Sequence, residues 1–425
     1  MDVEPMAAWA LRKGINLLGT GDFTHPLWFR QLQSKLEETS SGIYSRKGQT
    51  IKFILTAEIS SIYSQGGKTR RIHNLILAPN FETVGKINQE LTKKGVNLMS
   101  DGRPIIGLSS PALCELVWTI NEDCLIISAH AWTPWFSLYG SKSGFDSIEE
   151  CYGPFANRIY AIETGLSSAP AMNWQIEELD NRSILSFSDA HSPAKLGREA
   201  TVFKIRNPKS EIRNEKNFAY KDLAEAIKQD KNSNWEIAYT IEFYPEEGKY
   251  HYTGHRACGV SQSPQETKKS GTICPVCGRP LTVGVMHRVQ ELSRDEQIYV
   301  KNKYNAVGVK GIYNANQSRP PYILMVPLLE IIAQSLETSS SSQKAMEQYD
   351  ILIEKLGSEF DILLRATTDQ INSVSDHKIG EAIKKVRQGE ISIKPGFDGL
   401  FGVVKIWGSQ ADNKPTVAKK QLSLF

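Results

Sequence analysis

An α/β layer or barrel is the fold class the sequence predicts for its first half, and three observations carry that reading. Short apolar runs recur at residues 15–19, 51–57, 73–78, 124–129, 158–162, 184–188 and 201–205. Helix-compatible stretches separate several of them, at 81–94 and 111–121. Acids and histidines gather where the runs begin or end. Runs that are apolar throughout, rather than alternating, mark strands buried on both faces, and intervening helices mark parallel crossovers.

The second half reads differently. Residues 206–234 are charged, with one helical pattern at 220–228, and 235–288 form a compact module bearing Cys and His. Helical patterns follow at 321–336, 343–356, 359–367 and 378–388, with a loop or helix start at the Ser-rich 338–342. Residues 391–407 carry the turn signals Pro395-Gly396 and Asp398-Gly399 and read as a hairpin. The expected domains are a barrel over 1–210, a zinc-binding module over 235–290, a mainly helical region over 291–408 and a flexible polar tail over 409–425.

Composition bounds the function. A chain of 425 residues with 40% hydrophobic and 23% charged residues supplies a sizeable core and excludes wholesale disorder. The formal charge of +3 does not announce a nucleic-acid binder. Six cysteines are too few for a disulfide scaffold, and no apolar run suits a membrane helix, so the expected setting is reducing and cytoplasmic, with no membrane partner.

The polar residues at the run ends are the first chemical signal. Asp22 and His25 follow the first run in Gly19-Thr-Gly-Asp-Phe-Thr-His-Pro26; Glu58 closes the second, and His73 begins the third. His130 ends Leu125-Ile-Ile-Ser-Ala-His130, Glu163 ends Ile159-Tyr-Ala-Ile-Glu163, and Asp189 and His191 end Ile184-Leu-Ser-Phe-Ser-Asp-Ala-His191. Side chains at the carboxyl ends of parallel strands converge on one rim, where such folds keep their active sites. Each residue alone is more simply a cap or a satisfied core histidine. Agreement at six strand ends points instead to a metal centre, because mixed imidazole and carboxylate ligands suit Zn, Mn or Fe and paired ions suit phosphate chemistry.

The segments Gly19–Pro26, Ala57-Glu58, Ser128-Ala-His130 and Ser188-Asp-Ala-His191 resemble the polymerase-and-histidinol-phosphatase (PHP) metallophosphoesterases. Within them the chain is similar to the endonuclease Q family over nearly its whole length. The resemblance implies a distorted seven-stranded β/α barrel with two or three divalent metals (Zn2+, Mn2+ or Mg2+). It also implies cleavage of DNA 5′ to a deaminated base (uracil, hypoxanthine or xanthine) or an abasic site. The implied rim ligands are Glu58, His73, His130, Asp189 and His191, with Asp22 or His25 adding another; the implied catalytic group is Asp189, His191, Asp22 and His25. The family opens with a His-x-His strand, whereas this chain opens with Met1-Asp-Val-Glu-Pro5, which reads as the helix that follows it. The expectation is therefore a barrel without its first strand and a metal site short of two imidazoles, through an upstream start or a truncation.

Three further features bear on function. Trp132, Trp135, Phe136 and Tyr139 crowd the loop after His130 and are expected to meet an unstacked base, while Trp28 and Phe29 are equally well core residues. Lys195 and Arg198 are candidate phosphate contacts, with a solvated face as the alternative. In the downstream module, His255-x2-Cys258 and Cys274-x2-Cys277 have the spacing of a structural zinc ribbon, with His251 or His287 as substitutes for His255. From residue 249 to 288 there are six Lys or Arg and one Glu, a local +5 that exceeds the +3 of the whole chain and suits a nucleic-acid footprint.

The last residues, Gln421, Leu422, Ser423, Leu424 and Phe425, resemble the peptide with which bacterial proteins dock on the replicative sliding clamp. The functional expectation is thus a metal-dependent DNA-repair endonuclease, nucleoid-associated, with damaged DNA and the clamp as partners. A small-molecule phosphatase explains the rim but not the ribbon or tail. A truncated, non-catalytic DNA-binding or clamp-associated protein is the other rival.

Overall fold

Gly66 and Gly67, both at positive φ, turn the chain back between two long strands, and this hairpin is the spine of the first sheet. The computed structural model describes residues 2–100, 103–206, 218–296 and 298–408. Among the described residues the first sheet contains β1 (Leu17–Gly19), β2 (Glu37–Ser40), β3 (Ile43–Ser45), β4 (Lys52–Gln65), β5 (Lys68–Ala78), β6 (Ile105–Ile106), β7 (Leu125–Ser128), β8 (Ala161–Glu163) and β9 (Ser183–Leu185). It curls into a half-barrel, with helices Phe81–Lys93 and Ser110–Ile120 between its strands. Asn80 and Ser109 start those two helices by accepting backbone N–H bonds from Thr83 and Ala112.

Every apolar run overlaps a strand, but the sheet is mixed rather than parallel throughout. β1 and β4, β7 and β8, and β8 and β9 are parallel; β4 pairs antiparallel with β5, and β5 with β7. The run at 51–57 is only the first half of β4. Its second half is polar on one face and reaches solvent, so it carries no continuous apolar signal. Glu58 therefore stands within a strand rather than at its end, and His73 lies in the middle of β5.

The opening helix, Val3–Lys13, buries Val3, Met6, Ala7 and Ala10, the i, i+3, i+4, i+7 stripe of a helix laid on a core. Asp2 caps it by accepting from the Val3 amide, and Gly14 ends it in the left-handed conformation.

A second, five-stranded sheet is assembled from distant segments: β10 (Ala200–Ile205), β11 (Trp235–Glu242), and later β14 (Val300–Tyr304), β15 (Lys310–Asn314) and β16 (Tyr322–Leu324), in the order β10-β11-β16-β15-β14. Between them lies the two-stranded ribbon β12 (Thr253–His255) and β13 (Val260–Gln262). Two expectations shift here. Residues 235–242, expected with the cysteine module, pair with both β10 and β16. The helix expected over 321–336 begins only at Leu328, because Tyr322–Leu324 is a strand set between Pro321 and Pro327, residues that disfavour helix on their amino-terminal side.

Beyond β16 the chain is helical as expected: Leu328–Ser335, Gln343–Leu356, Glu359–Leu364, Thr368–Asn372 and His377–Gln388 share one apolar core with Ile241 and Met325. Ser342 and Asp376 supply N-caps. The expected terminal hairpin forms from β17 (Ser392–Lys394) and β18 (Val403–Lys405). Its turn is pinned to the ribbon module by Asp398, which accepts from the Arg256 amide at 2.7 Å and the Thr282 hydroxyl at 2.6 Å. Residues 421–425 lie outside the described residues.

Candidate metal centre

The geometry begins with strand register. Glu58 on β4 faces Leu75 on β5, and Ser60 faces His73, so Glu58 and His73 are diagonal neighbours on one face of the hairpin. β7 continues the sheet, and just beyond it the Ala129 amide donates to the His73 carbonyl at 3.1 Å, which places His130 beside them. Glu58 Oε1 lies 2.7 Å from His73 Nδ1 and 3.2 Å from His130 Nε2, and the two imidazole nitrogens are 3.0 Å apart. These three residues are mostly buried and present converging ligand atoms.

Arg103 was not anticipated. Its Nη1 stands 2.8 Å from Glu58 Oε1 and 3.1 Å from His73 Nδ1. Nothing in the sequence around it distinguishes it from an ordinary loop arginine; its place follows from β6, which pairs with β4 at Ser60 and Ser61.

Burial and neighbouring charge oppose one another across the site. Burial raises the Glu58 carboxyl, but hydrogen bonds and charge from His130 and His73 overcome it and hold the group well below the usual carboxylate range. Burial opposes charge on His130 as well, yet Glu58 lifts it to about 9, with Glu163 and Asp189 assisting. Burial lowers His73. Glu163, expected at the rim with a weaker match, accepts from the His130 backbone amide at 2.8 Å, and burial pushes its carboxyl up to about 8.

Backbone strain gathers at the same place. Asp22, His130, Phe136 and Asp189 are non-glycine residues at positive φ, each costing roughly 1–3 kcal/mol, a cost usually retained where function requires it.

Asp189 and His191 stand outside the three-residue group. Asp189 acts on His130, Glu163 and Arg103 through its charge. Its loop is held by Arg198, which donates to the Ser188 and Asp189 carbonyls at 2.7 and 3.0 Å. Arg198 is thus engaged with backbone, and Lys195 pairs with Glu330 at 2.7 Å, so both expected phosphate contacts already have partners within the protein. The His191 side chain is 72% exposed, with Nδ1 3.0 Å from the Asp189 carbonyl. Asp22 bears electrostatically on Arg103, and half-buried His25 precedes the helix Pro26–Lys35 without a side-chain cap bond.

The donor chemistry at Glu58, His73 and His130 fits a divalent ion. The ligand atoms lie 2.7–3.2 Å apart, and a nitrogen with a single proton or lone pair cannot serve the carboxylate, the other imidazole and a guanidinium together. A cation accepting a lone pair from each resolves that crowding.

The aromatic loop divides. Trp132 and Tyr139 are core residues, 1% and 0% exposed, with ring centroids 4.6 Å apart. The Trp132 Nε1 donates to Asn173 Oδ1 at 2.7 Å, and the Tyr139 hydroxyl to Glu178 at 2.8 Å. Their expected contact with a base is therefore corrected to packing: each ring has its apolar faces covered and its polar tip satisfied. Trp135 and Phe136 are half-buried; Phe136 lies 4.8 Å from His73, and Trp135 packs edge-on against Tyr250. Trp28 donates to the Gly21 carbonyl at 2.9 Å, bracing the loop that carries Asp22.

The second cluster meets its expectation in placement. His255, Cys258, Cys274 and Cys277 bring one ligand atom each within 4.8 Å of the others, and Cys277 Sγ lies 3.4 Å from His255 Nδ1. Gly278 at positive φ closes the knuckle, its amide donating to Cys274 O at 2.9 Å. His251 and His287 stand outside the group. Desolvation and neighbouring thiols raise Cys258 to about 11, whereas at Cys274 the desolvation is outweighed by the Cys277 amide and His255, which bring it to about 6. A thiolate-rich set of two turns on a ribbon fits tetrahedral zinc.

Comparison with known proteins bears on the fold that carries these clusters. The chain superimposes on the crystal structure of the lesion-specific endonuclease PfuEndoQ from Pyrococcus furiosus with a TM-score of 0.76, at 28% identity, covering 95% of this chain and 90% of that one. It matches endonuclease Q in complex with a 27-mer duplex substrate carrying an abasic lesion at the active site with a TM-score of 0.77, at 29% identity, covering 95% and 91%. The chain is similar to endonuclease Q in fold and sequence over nearly its whole length. Its helices at residues 327–390 match the MJ0043 C-terminal domain family. An uncharacterised protein of Bacillus subtilis, YqxK, is 28% identical over 405 residues, covering 92% of this chain and 89% of its own length. The uncharacterised protein MJ0043 of Methanocaldococcus jannaschii is 32% identical over 277 residues, 65% of this chain, and the match spans 31% of that longer protein.

Proposed function

We propose that the chain is a metal-dependent DNA-repair endonuclease that hydrolyses the phosphodiester 5′ to a deaminated base or an abasic site. The observation that carries this reading is the Glu58–His73–His130 cluster, set in a half-barrel whose fold extends over 95% of the chain onto endonuclease Q bound to a lesion duplex. Glu58, His73 and His130 hold a divalent cation, which when bound supplies Lewis acidity and acidifies water. Glu163 fixes the backbone of His130, and Arg198 fixes that of Asp189. Asp189 and His191 serve as proton carriers at the rim, with Asp22 and His25 on the adjoining turn. Half-buried Trp135 and Phe136 offer the aromatic surface against which an unstacked base rests. His255, Cys258, Cys274 and Cys277 hold structural zinc in a basic module that follows the DNA backbone. Gln421 to Phe425 tether the enzyme to the sliding clamp in the cytoplasm, near the nucleoid.

The test is nicking of duplexes containing uracil, hypoxanthine or an abasic site in Mn2+ or Mg2+. Nicking that disappears in Glu58→Gln and Asp189→Asn, with binding of the duplex retained, supports the reading. No nicking of any lesion duplex, by this chain or by a form extended to include a His-x-His strand, overturns it and leaves a DNA-binding protein without catalysis. Capture of the sliding clamp that survives deletion of residues 421–425 overturns the tether.

A further inference from the structure

The Glu58–His73–His130 cluster is closed by Arg103, whose guanidinium the proposed function has not used. Arg103 Nη1 is 2.8 Å from Glu58 Oε1 and 3.1 Å from His73 Nδ1, both of them atoms that a metal ion needs. The carboxylates of Asp189 and Asp22 also act on this guanidinium, so it neutralises the acidic side of the rim as well as Glu58. An arginine stays charged at every pH at which the protein folds, so it leaves such a cluster only by moving. A guanidinium N–H and a metal ion cannot use one imidazole lone pair together.

The local backbone permits that movement without disturbing the sheet. The Pro104 carbonyl accepts from the Ser60 amide at 3.0 Å, and Ile105 and Ile106 pair in parallel with Ser60 and Ser61. The backbone is therefore anchored directly after Arg103, on the strand that carries Glu58. The Arg103 side chain itself is 31% exposed, twice the 16% of Glu58, so its route out of the cluster leads to solvent.

We propose that Arg103 is a built-in counter-cation of the cluster, which a divalent ion must displace from Glu58 and His73 in order to bind. The proposal rests on the metal-site reading above and deepens it: Arg103 competes with the ion for Glu58 and His73 and sets how tightly the ion is held. Removing it leaves Glu58 without its cationic partner and the ligand atoms free, which strengthens ion binding. A merely structural arginine, by contrast, weakens the site when lost.

The experiment is calorimetric titration of Mn2+ into the full chain and into Arg103→Ala, Arg103→Gln, Arg103→Lys and Glu58→Gln, with folding checked by circular dichroism. The expected result is Mn2+ binding tightened by a factor of about ten or more in Arg103→Ala and Arg103→Gln. Arg103→Lys, which keeps the charge, falls back towards the parent value, and the Glu58-dependent binding event disappears in Glu58→Gln. Equal or weaker Mn2+ binding in both neutral variants, at a site still abolished by Glu58→Gln, overturns the role of Arg103 and leaves the metal site standing. Absence of any Glu58-dependent binding in the parent and all Arg103 variants overturns the metal-site reading itself. If a neutral variant misfolds, the other neutral variant decides.

Discussion

Lys13 at the end of the first helix donates to Glu359 of a carboxyl-terminal helix at 2.6 Å, and both side chains are buried, at 1% and 2% exposure. Glu359 is fully engaged: the Tyr349 hydroxyl donates to it at 2.9 Å and the Leu328 amide at 3.0 Å. The first helix is thereby locked onto the helical region that closes the molecule. Lys13→Met leaves a buried carboxylate without its cation, and the expected cost is about 3–5 kcal/mol. Adding Glu359→Gln to Lys13→Met restores part of that loss, because the amide carries no charge, its oxygen still accepts from the Leu328 N–H and its NH2 can donate to the Tyr349 hydroxyl. Urea unfolding midpoints of the single and double variants check this; an additive double variant rules out the pairing as the source.

The two tryptophans of the loop after His130 part company on mutation. Trp132 is enclosed and bonded to Asn173, so Trp132→Ala costs about 3–5 kcal/mol of stability. Trp135 is half-buried, and Trp135→Ala costs less stability but weakens binding to an abasic-site duplex by roughly 1–3 kcal/mol, the range for one lost stacking contact. Thermal unfolding paired with fluorescence anisotropy separates the two effects.

Glu199 makes stability depend on pH. It is 2% exposed, one carboxylate oxygen has no hydrogen-bond partner among the described residues, and burial, with the charges of Glu242 and Glu163, raises its carboxyl well above the ordinary value. A carboxyl raised in the folded state contributes fully below its unfolded value, and that contribution is lost as pH rises towards the folded one. Glu199→Gln removes the ionisation, so its stability relative to the parent is greater at pH 8 than at pH 5. Paired denaturant titrations at the two pH values measure the difference; equal differences refute the assignment.

The two proposed metal sites are expected to separate on mutation. Cys274→Ser is expected to abolish zinc binding by the ribbon module and to lower the unfolding temperature, because a closed four-ligand site couples binding to the folding of its module. Glu58→Gln leaves that zinc in place. Elemental analysis after gel filtration reads both.

Much of the fold was legible because its signals are local. The helix at Gln343–Leu356 follows from its period and Ser342 cap. The Cys274-x2-Cys277 turn folds within its own few residues, so its cysteines could be read from spacing, while the choice of His255 over His251 and His287 waited on the fold. The rim was legible in part: Glu58, His73 and His130 meet as expected, while Asp189 and His191 stand apart and Arg103 enters unannounced.

The sequence by itself determined where most strands and helices lie and which cysteines converge, since hydrophobic period, capping and ligand spacing act over neighbouring residues. Only the tertiary structure decided that β4 and β5 form an antiparallel hairpin, that Trp132 and Tyr139 face the core, that Arg103 closes the Glu58–His73–His130 cluster, and that Lys13 finds Glu359 across 346 positions. Those outcomes rest on burial and on pairings between distant segments, whose free energy appears only once the chain has closed around them, and no local pattern records them.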